Sequence, residues 1–287
     1  MQVFCVLMVS QGVTNVPEFL LWWDTNNRLY GRTNNPYDLS RISGGSSGGE
    51  AALISSGGSL IGLGSDIGGS IRIPSFFCGV FGHKPSSNMT SIEGTFPYCG
   101  HPEREKYLVF GPICRYAEDL RLVLNQILNE PSLLKLNAPV DLHKSKFYFM
   151  TTDNDPFKTK VSEDVVSAIN STREFLTKEG FECETADLPL FRESFLMWLA
   201  ALADVDSPKL ACEVTERKGE LNGWKELIKS LLIGSNFRKI TCMNVILENM
   251  VYSENTRNWK IFRKIVQDCH ILKDQLESLL GNVLIIF

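Results

Sequence analysis

The sequence predicts an α/β fold with a mixed, largely parallel central sheet that is covered by helices. Two observations lead to this prediction. Short apolar runs, typical of buried strands, alternate with longer segments whose apolar residues recur at helical spacing. Residues 146–150, 161–178 and 181–186 also form a strand–helix–strand unit, which implies a parallel pair joined by a right-handed crossover. Because no Pro-, Gly- and Ser-rich tether separates the halves, we expect one domain over residues 1–287.

Length and composition indicate a soluble globular protein. The 287 residues are enough to bury a substantial core, and 44% of them are apolar against 22% charged. The formal net charge of −4 provides no cationic surface for phosphate backbones, which argues against nucleic-acid binding. The eight cysteines form no CxxC pair and no cysteine–histidine cluster at zinc spacing, so we expect free thiols in a reducing compartment and no metal site.

Both ends of the chain have the composition of buried strands. Residues 1–9 are rich in valine, lack the basic residues and cleavage site of a signal peptide, and are too short to span a bilayer. Residues 281–287 predict a turn that enters a parallel strand, within which the sequence stops. We therefore expect the chain to be part of a longer protein.

The first third of the chain is dense in turns. Residues 16–23 favour a short helix with Pro17 near its first turn, where the missing N–H costs nothing. A loop rich in Asn, Asp and Thr covers residues 24–38, and a loop of that length inside a compact domain is usually functional. The pattern then predicts these elements: helix 47–56, strand 59–64, helix 71–77, strand 79–83 and a helix over 113–127.

The second half has a different pattern, with longer helices. Helix 161–178 is predicted to place four apolar side chains on its inward face: Val165, Ile169, Phe175 and Leu176. Residues 191–280 are predicted to be largely helical.

Two glycine loops that carry serines are the strongest chemical signal. The first is Gly44-Gly45-Ser46-Ser47-Gly48-Gly49 and the second is Ser65-Asp66-Ile67-Gly68-Gly69-Ser70. A serine nucleophile needs a relay that removes its proton and N–H groups aimed at the charge that develops on the attacked carbonyl. The pair of loops therefore predicts a nucleophile together with its relay.

These loops, followed by Gly82-His83-Lys84-Pro85, resemble the signature of the amidase signature family of serine hydrolases. Three further segments resemble its fatty-acid amide hydrolase branch: residues 33–38, residues 76–79 and Gly111-Pro112. The resemblance is specific over about residues 12–120 and diffuse beyond them. It implies the amidase signature fold, hydrolysis of lipid amides as small-molecule substrates, and chemistry that uses no metal and no organic cofactor.

The resemblance also implies a serine–cis-serine–lysine triad. Ser70 matches the nucleophile that forms the acyl-enzyme, and Ser46 matches the serine in a cis peptide that relays the proton. Two successive glycines let several N–H groups converge on one oxygen, which predicts an oxyanion hole formed by Ile67, Gly68, Gly69 and Ser70.

Three further residues are expected to support the site. Asp66 and Arg72 match residues that hold the nucleophile loop, with an ordinary exposed ion pair as the alternative. Ser47 is expected to form a hydrogen bond within the site, to cap the following helix, or both.

The base of the triad is missing from the sequence. The family uses a lysine upstream of the cis-serine, whereas the first lysine here is Lys84, which matches a separate structural turn of the family. We therefore expect the lysine to precede Met1, the amidase domain over residues 1–287 to be incomplete, and the chain to be inactive alone.

Three other functions are alternatives to hydrolysis by this triad. Neither glycine loop has the Gly-Lys-Ser/Thr of a P-loop, and Gly62-Leu63-Gly64 lacks the third glycine of a dinucleotide site. Residues 44–48 fit the G-x-S-x-G pattern of α/β-hydrolases, but no histidine lies in a persuasive context. A non-catalytic amidase-like scaffold or binding protein stays open because the lysine is absent.

The sequence leaves the location and the partners of the protein open. Residues 224–237 carry apolar residues at helical spacing, interrupted by Lys225 and Lys229. Such a helix packs on the core, lines an acyl channel or touches a membrane surface. Trp22 and Trp23 are core or pocket-wall candidates. We expect a cytoplasmic or peripherally membrane-associated protein, and a homodimer stays open.

Overall fold

The computed structural model describes residues 12–95, 106–134, 136–203, 209–251, 259–281 and 284–286. The strand predicted for residues 1–9 lies outside these ranges. The chain divides into two compact units: Met1–Leu136 with Val205–Met250, and Asn137–Asp204 with Val251–Phe287.

The described helices, in chain order, are α1 (Gly48–Ser55), α2 (Arg72–Cys78), α3 (Ala117–Ile127), α4 (Glu163–Lys178), α5 (Ser194–Ala203), α6 (Leu210–Glu213), α7 (Gly223–Leu232), α8 (Lys239–Val251) and α9 (Lys260–Leu280). The described strands are β1 (Asn26–Asn27), β2 (Gly31–Arg32), β3 (Asn34–Asn35), β4 (Asp38–Ile42), β5 (Ile61–Asp66), β6 (Phe81–Gly82), β7 (Val109–Cys114), β8 (Lys146–Phe149), β9 (Glu182–Thr185) and β10 (Leu284–Ile286). None of the helices in the described ranges has the length and apolarity that a bilayer crossing requires.

The first unit contains an antiparallel sheet in the order β5–β7–β6. Helices α1 and α2 pack against each other beside it, and their buried residues form one apolar cluster with the sheet: Ala51, Ile54, Ile71, Cys78, Val80 and Ile113. The predicted helices 47–56 and 71–77 are confirmed within one residue at each end. The predicted strand 59–64 lies two residues later, as β5. This sheet places the second serine loop at the end of β5.

Two predictions in the first unit are wrong at their boundaries. The helix predicted over 16–23 shrinks to one 3₁₀ turn, Glu18–Leu20, because Phe19 and Leu20 adopt positive φ angles of 55° and 61° that a right-handed helix cannot continue. The helix predicted from residue 113 begins only at Ala117.

Strand β7 occupies the residues where that helix was predicted to begin. It runs through Gly111 and Pro112, a pair that signals a turn when the sequence is considered alone. Pro112 fits a central strand because its carbonyl still accepts a hydrogen bond from the His83 N–H at 3.0 Å. A Cβ atom at Gly111 would lie 2.1 Å from the His83 carbonyl oxygen, so the close pairing of the chains there requires glycine.

The predicted loop 24–38 contains short strands. β1 pairs with β2 and β3 pairs with β4, both antiparallel. The Thr33 N–H donates to the Thr25 carbonyl oxygen at 2.9 Å, which extends the β1–β2 pairing by one residue on each strand. The loop is therefore a braced segment, and it leads directly into the first serine loop.

The second unit confirms the predicted parallel pairing. β8 lies between β10 and β9 and pairs with both in parallel, with α4 as the crossover from β8 to β9. Helices α5 and α9 pack on each other, and the core of this unit comprises Tyr148, Ala186, Leu188, Met197 and Leu272. The largely helical character predicted for residues 191–280 is confirmed in the described residues.

One predicted core position of α4 is wrong. Phe175 is 60% exposed, whereas Val165, Ile169 and Leu176 are partly buried. At about 100° per residue, Phe175 lies roughly 100° around the helix from the mean direction of the other three side chains. It is therefore off the stripe that faces the sheet.

Candidate active site

The first serine loop contains a cis peptide bond between Gly45 and Ser46. Gly44 and Gly45, which lead into this bond, have no side chains, and other segments of the chain lie close to both. Gly44 has a φ of +81°, and a Cβ atom there would lie 2.8 Å from the Cα of Pro74. A Cβ atom at Gly45 would lie 2.7 Å from the Trp22 carbonyl oxygen. The glycines therefore let two other segments of the chain pack directly on the loop.

The second serine loop is built around the carboxylate of Asp66, at the end of β5. Asp66 is fully buried and accepts hydrogen bonds from the N–H groups of Gly69 at 2.7 Å and Ile71 at 3.0 Å. The Arg72 guanidinium donates to both carboxylate oxygens, at 3.1 Å and 3.0 Å. The loop that carries Ser70 thus wraps around the Asp66 carboxylate. Because this carboxylate is buried, Asp66 and Arg72 do not form the exposed ion pair that was the alternative expectation.

The charge state of Asp66 follows from these contacts. Burial raises the pKa of its carboxyl, but the Arg72 guanidinium and the N–H groups of Gly69 and Ile71 outweigh burial and hold the pKa below its ordinary value. Arg72 is 55% exposed on its side chain, so it connects the buried carboxylate to solvent.

The two serine loops contact each other directly. The Ser47 N–H donates to the Ser70 carbonyl oxygen at 3.1 Å, and the side chains of Ser46, Ser47 and Ser70 are all buried. The Ser47 hydroxyl accepts from the Ser65 N–H at 3.4 Å, and it makes no capping hydrogen bond to α1 although Ser47 lies at the N-cap. The Ser47 hydroxyl therefore contacts the second serine loop rather than the first turn of α1, and its role in the site stays a prediction.

The predicted oxyanion donors are not equivalent. The Gly69 N–H donates to the Asp66 carboxylate at 2.7 Å in this arrangement. The N–H groups of Gly68 and Ser70 donate no hydrogen bond to any described residue. For Ile67 the donor role stays a prediction. The N–H groups of Gly68 and Ser70 are therefore open to an incoming oxygen, and the donor role of all four residues stays a prediction.

Lys84, the first lysine of the sequence, is half-buried. Burial lowers the pKa of its ammonium group, the Asp66 carboxylate opposes that effect and the Arg72 guanidinium adds to it. Its Nζ atom donates to the Pro85 carbonyl oxygen at 3.3 Å and makes no hydrogen bond to Ser46 or Ser70 among the described residues. Nor do His, Cys, Asp and Glu side chains gather in groups of three that could hold a metal ion anywhere in the described ranges.

Sequence reasoning missed Thr25 altogether, and it named Trp23 only as a core or pocket-wall candidate without its contact to a serine loop. The fully buried Thr25 hydroxyl donates to the Gly44 carbonyl oxygen at 2.8 Å, and the Trp23 indole N–H donates to the Gly68 carbonyl oxygen at 3.0 Å. The one available signal was the length of the loop that begins beside them.

Comparisons with known proteins find a similarity that covers most of the chain. The amidase family model matches residues 8–286. The chain is 38% identical over 282 residues to fatty-acid amide hydrolase 2-B of Danio rerio, covering 96% of this chain and 52% of that protein. It is 42% identical over 199 residues to human fatty-acid amide hydrolase 2, covering 68% of this chain and 37% of that protein. The chain thus spans about half the length of the zebrafish relative.

A solved structure agrees. A structure titled fatty acid amide hydrolase superposes with a TM-score of 0.64 at 27% identity, covering 94% of this chain and 46% of that one. The predicted mixed α/β fold class is therefore confirmed, and so is the resemblance inferred from the serine loops.

Proposed function

This chain belongs to the amidase signature family of hydrolases, which act on carbon–nitrogen bonds, and we propose that its protein hydrolyses amides with Ser70 as nucleophile and Ser46 as proton relay. One observation carries this proposal. The loop with the cis Gly45–Ser46 peptide is joined to the Ser70 loop by the Ser47 N–H, so that both buried serines belong to one site.

In the proposed reaction the Ser70 hydroxyl oxygen attacks the amide carbonyl carbon while its proton passes to Ser46, and the Ser46 proton passes to a lysine base. The N–H groups of Gly68 and Ser70 stabilise the negative charge on the carbonyl oxygen. Collapse of this intermediate breaks the C–N bond, and the leaving amine takes the proton back. Water then cleaves the Ser70 ester through the same relay and releases the carboxylic acid.

The lysine base of this mechanism is proposed to lie outside residues 1–287, on the N-terminal side of Ser46 in the complete product. The sequence has no lysine before Lys84, and Lys84 donates to Pro85 rather than to a serine. The 287-residue chain alone is therefore expected to show little or no turnover.

The test compares two proteins: the 287-residue chain and the product of the complete reading frame that encodes it. We expect a fluorophosphonate probe to label Ser70 of the complete product, located by mass spectrometry of the labelled peptide, and we expect amide hydrolysis by that product only. A complete product that is not labelled would overturn the hydrolase proposal and support the non-catalytic scaffold.

Lipid amides are the proposed substrates. Two relatives are named fatty-acid amide hydrolases. Exposed apolar side chains also lie next to the serine loops, where Leu21 and Trp22 directly precede Trp23. Binding of an acyl chain there would gain about 0.8 kcal/mol per buried methylene. The complete product should accordingly prefer long-chain over short-chain primary amides in kcat/KM.

Peripheral contact with a membrane is proposed for α7. Its exposed apolar residues share one face at helical spacing: Trp224, Ile228, Leu231 and Leu232. Lys225 and Lys229 lie on the same helix, which suits an anionic lipid surface.

A homodimer and a location in the cytoplasm stay predictions.

Replacing Leu231 with Glu should weaken co-sedimentation of the complete product with vesicles of phosphatidylcholine and phosphatidylserine by at least about tenfold, because burial of one leucine is worth about 1.5–3 kcal/mol. Leu122→Glu is the matched control, since Leu122 of α3 is 59% exposed and Leu231 is 64% exposed. Equal vesicle binding by both variants would rule out α7 as the contact.

A further inference from the structure

Residues 22–25, called the clamp segment below, lie against both serine loops. Its backbone packs on the cis peptide, since a Cβ atom at Gly45 would lie 2.7 Å from the Trp22 carbonyl oxygen and 3.2 Å from the Asp24 nitrogen. Two of its side chains reach out from there, Thr25 to the first loop and Trp23 to the second. One short stretch of chain thus touches both halves of the site.

Thr25 holds the first loop on both sides of the cis bond. Its hydroxyl donates to the Gly44 carbonyl oxygen at 2.8 Å and accepts from the Gly48 N–H at 3.1 Å. Because Thr25 is fully buried, no water replaces these contacts when the hydroxyl is removed. The hydroxyl therefore holds the backbone at Gly44 and Gly48, two positions on either side of Ser46.

Trp23 holds the peptide unit between Gly68 and Gly69. The carbonyl oxygen of this unit accepts from the Trp23 indole N–H at 3.0 Å, and its N–H donates to Asp66 at 2.7 Å. A peptide unit is planar, so contacts at its two polar ends set its orientation.

This restraint matters because glycine lies on each side of the unit. Glycine has little steric preference between backbone conformations, so a Gly-Gly peptide rotates at low cost unless other groups hold it. Rotation would move the Gly68 carbonyl oxygen away from Trp23 and disturb the N–H groups of Gly68 and Ser70 on either side. An oxygen turned toward a developing oxyanion would repel it.

We infer that Trp23 and Thr25 are positioning residues that set the spacing and orientation of Ser46 and Ser70, an inference that rests on the proposed function. Neither side chain is assigned a contact with substrate. Their effect is on kcat, because they act through the geometry of the two loops, while KM is determined by the acyl-chain site.

The test uses the complete product and the pair Thr25→Val and Thr25→Ser. Valine keeps the shape of threonine and removes the hydroxyl, whereas serine keeps the hydroxyl. We expect Thr25→Val to lower kcat about tenfold or more with KM changed less than about twofold, and Thr25→Ser to recover most of the loss.

Trp23→Phe supplies an independent measurement if Thr25→Val does not fold. We expect a fall in kcat of about tenfold, and a parallel fall in the rate of fluorophosphonate labelling at Ser70. Trp259→Phe is the control, since Trp259 is 61% exposed and belongs to the second unit, whereas both serine loops belong to the first.

The outcomes separate the two proposals. Suppose that the parent protein shows Ser70-dependent turnover and that the Trp23→Phe and Thr25→Val variants keep the parent kcat. This result overturns the inference that Trp23 and Thr25 are positioning residues, and it leaves the hydrolase proposal intact. The same holds if Thr25→Ser loses as much activity as Thr25→Val. A parent without Ser70-dependent turnover overturns both.

Discussion

Replacing Ser70 with alanine is expected to lower amide hydrolysis by the complete product by about three to six orders of magnitude, because the step that forms the acyl-enzyme loses its nucleophile. The fold should persist, since alanine fits the volume of a buried serine. Steady-state hydrolysis of a long-chain amide and fluorophosphonate labelling both measure the effect.

Replacing Ser46 with alanine should also severely lower the rate of amide hydrolysis, because proton transfer from Ser70 then has no relay.

Ser75→Ala is the matched control for Ser70→Ala. Ser75 is a buried serine of α2, and its hydroxyl donates to the Ile71 carbonyl oxygen at 2.8 Å. It should keep most of the activity while losing about 1 kcal/mol of stability. If the Ser70→Ala variant hydrolyses amides at near the parent rate, Ser70 is not the nucleophile. If the Ser46→Ala variant does so, Ser46 is not the proton relay.

Replacing Asp66 with asparagine is expected to lower the free energy of unfolding by about 3 kcal/mol and to lower activity as well. The carboxylate accepts hydrogen bonds from Gly69, Ile71 and Arg72. An asparagine would place its NH₂ group, which is a donor, against some of these N–H donors. Since Arg72 is partly exposed, it regains hydration, and we assign most of the loss to the two buried N–H groups. Urea unfolding of the complete product measures the change.

The difference between the parent and Asp66→Asn should depend on pH. Contacts that hold the pKa of Asp66 below its ordinary value of 3.8 stabilise the folded state above that pH, and the gain disappears as pH falls through the folded-state pKa. The difference in unfolding free energy should therefore be full near neutral pH and shrink below about pH 4.

Asp38→Asn is the control, because Asp38 forms an ion pair with Arg41 at 3.0 Å on an exposed surface. Exposed pairs are worth about 0.2–1 kcal/mol, so this variant should change stability little. If Asp66→Asn is no more destabilised than Asp38→Asn, the Asp66 carboxylate does not hold the nucleophile loop.

Local signals were enough to predict several parts of the fold. Helix α1 and the unit from β8 to β9 follow from small residues and from apolar periodicity within short windows, which the structure preserves. The same signals failed where distant chain segments decide the conformation. β7 runs through Gly111-Pro112 because β5 and β6 pair on either side of it, and no residue of the pair itself announces those partners.

The sequence by itself determined the identity of the two serine loops. Their glycines and serines are contiguous, and residues without a Cβ atom permit backbone paths that other residues cannot follow, so the pattern is visible without any tertiary contact. The comparisons confirm the family over most of the chain.

Only the tertiary structure decided that Trp23 and Thr25 hold those loops. Trp23 reaches Gly68 across 45 positions and Thr25 reaches Gly44 across 19, and tryptophan and threonine in a polar loop carry no local mark of such partners. The burial of Asp66 and its hold on the Gly69 N–H likewise emerge only when β5 is packed in the sheet. Hydrogen-bond direction and burial depend on which segments meet in space, and sequence spacing alone does not encode that meeting.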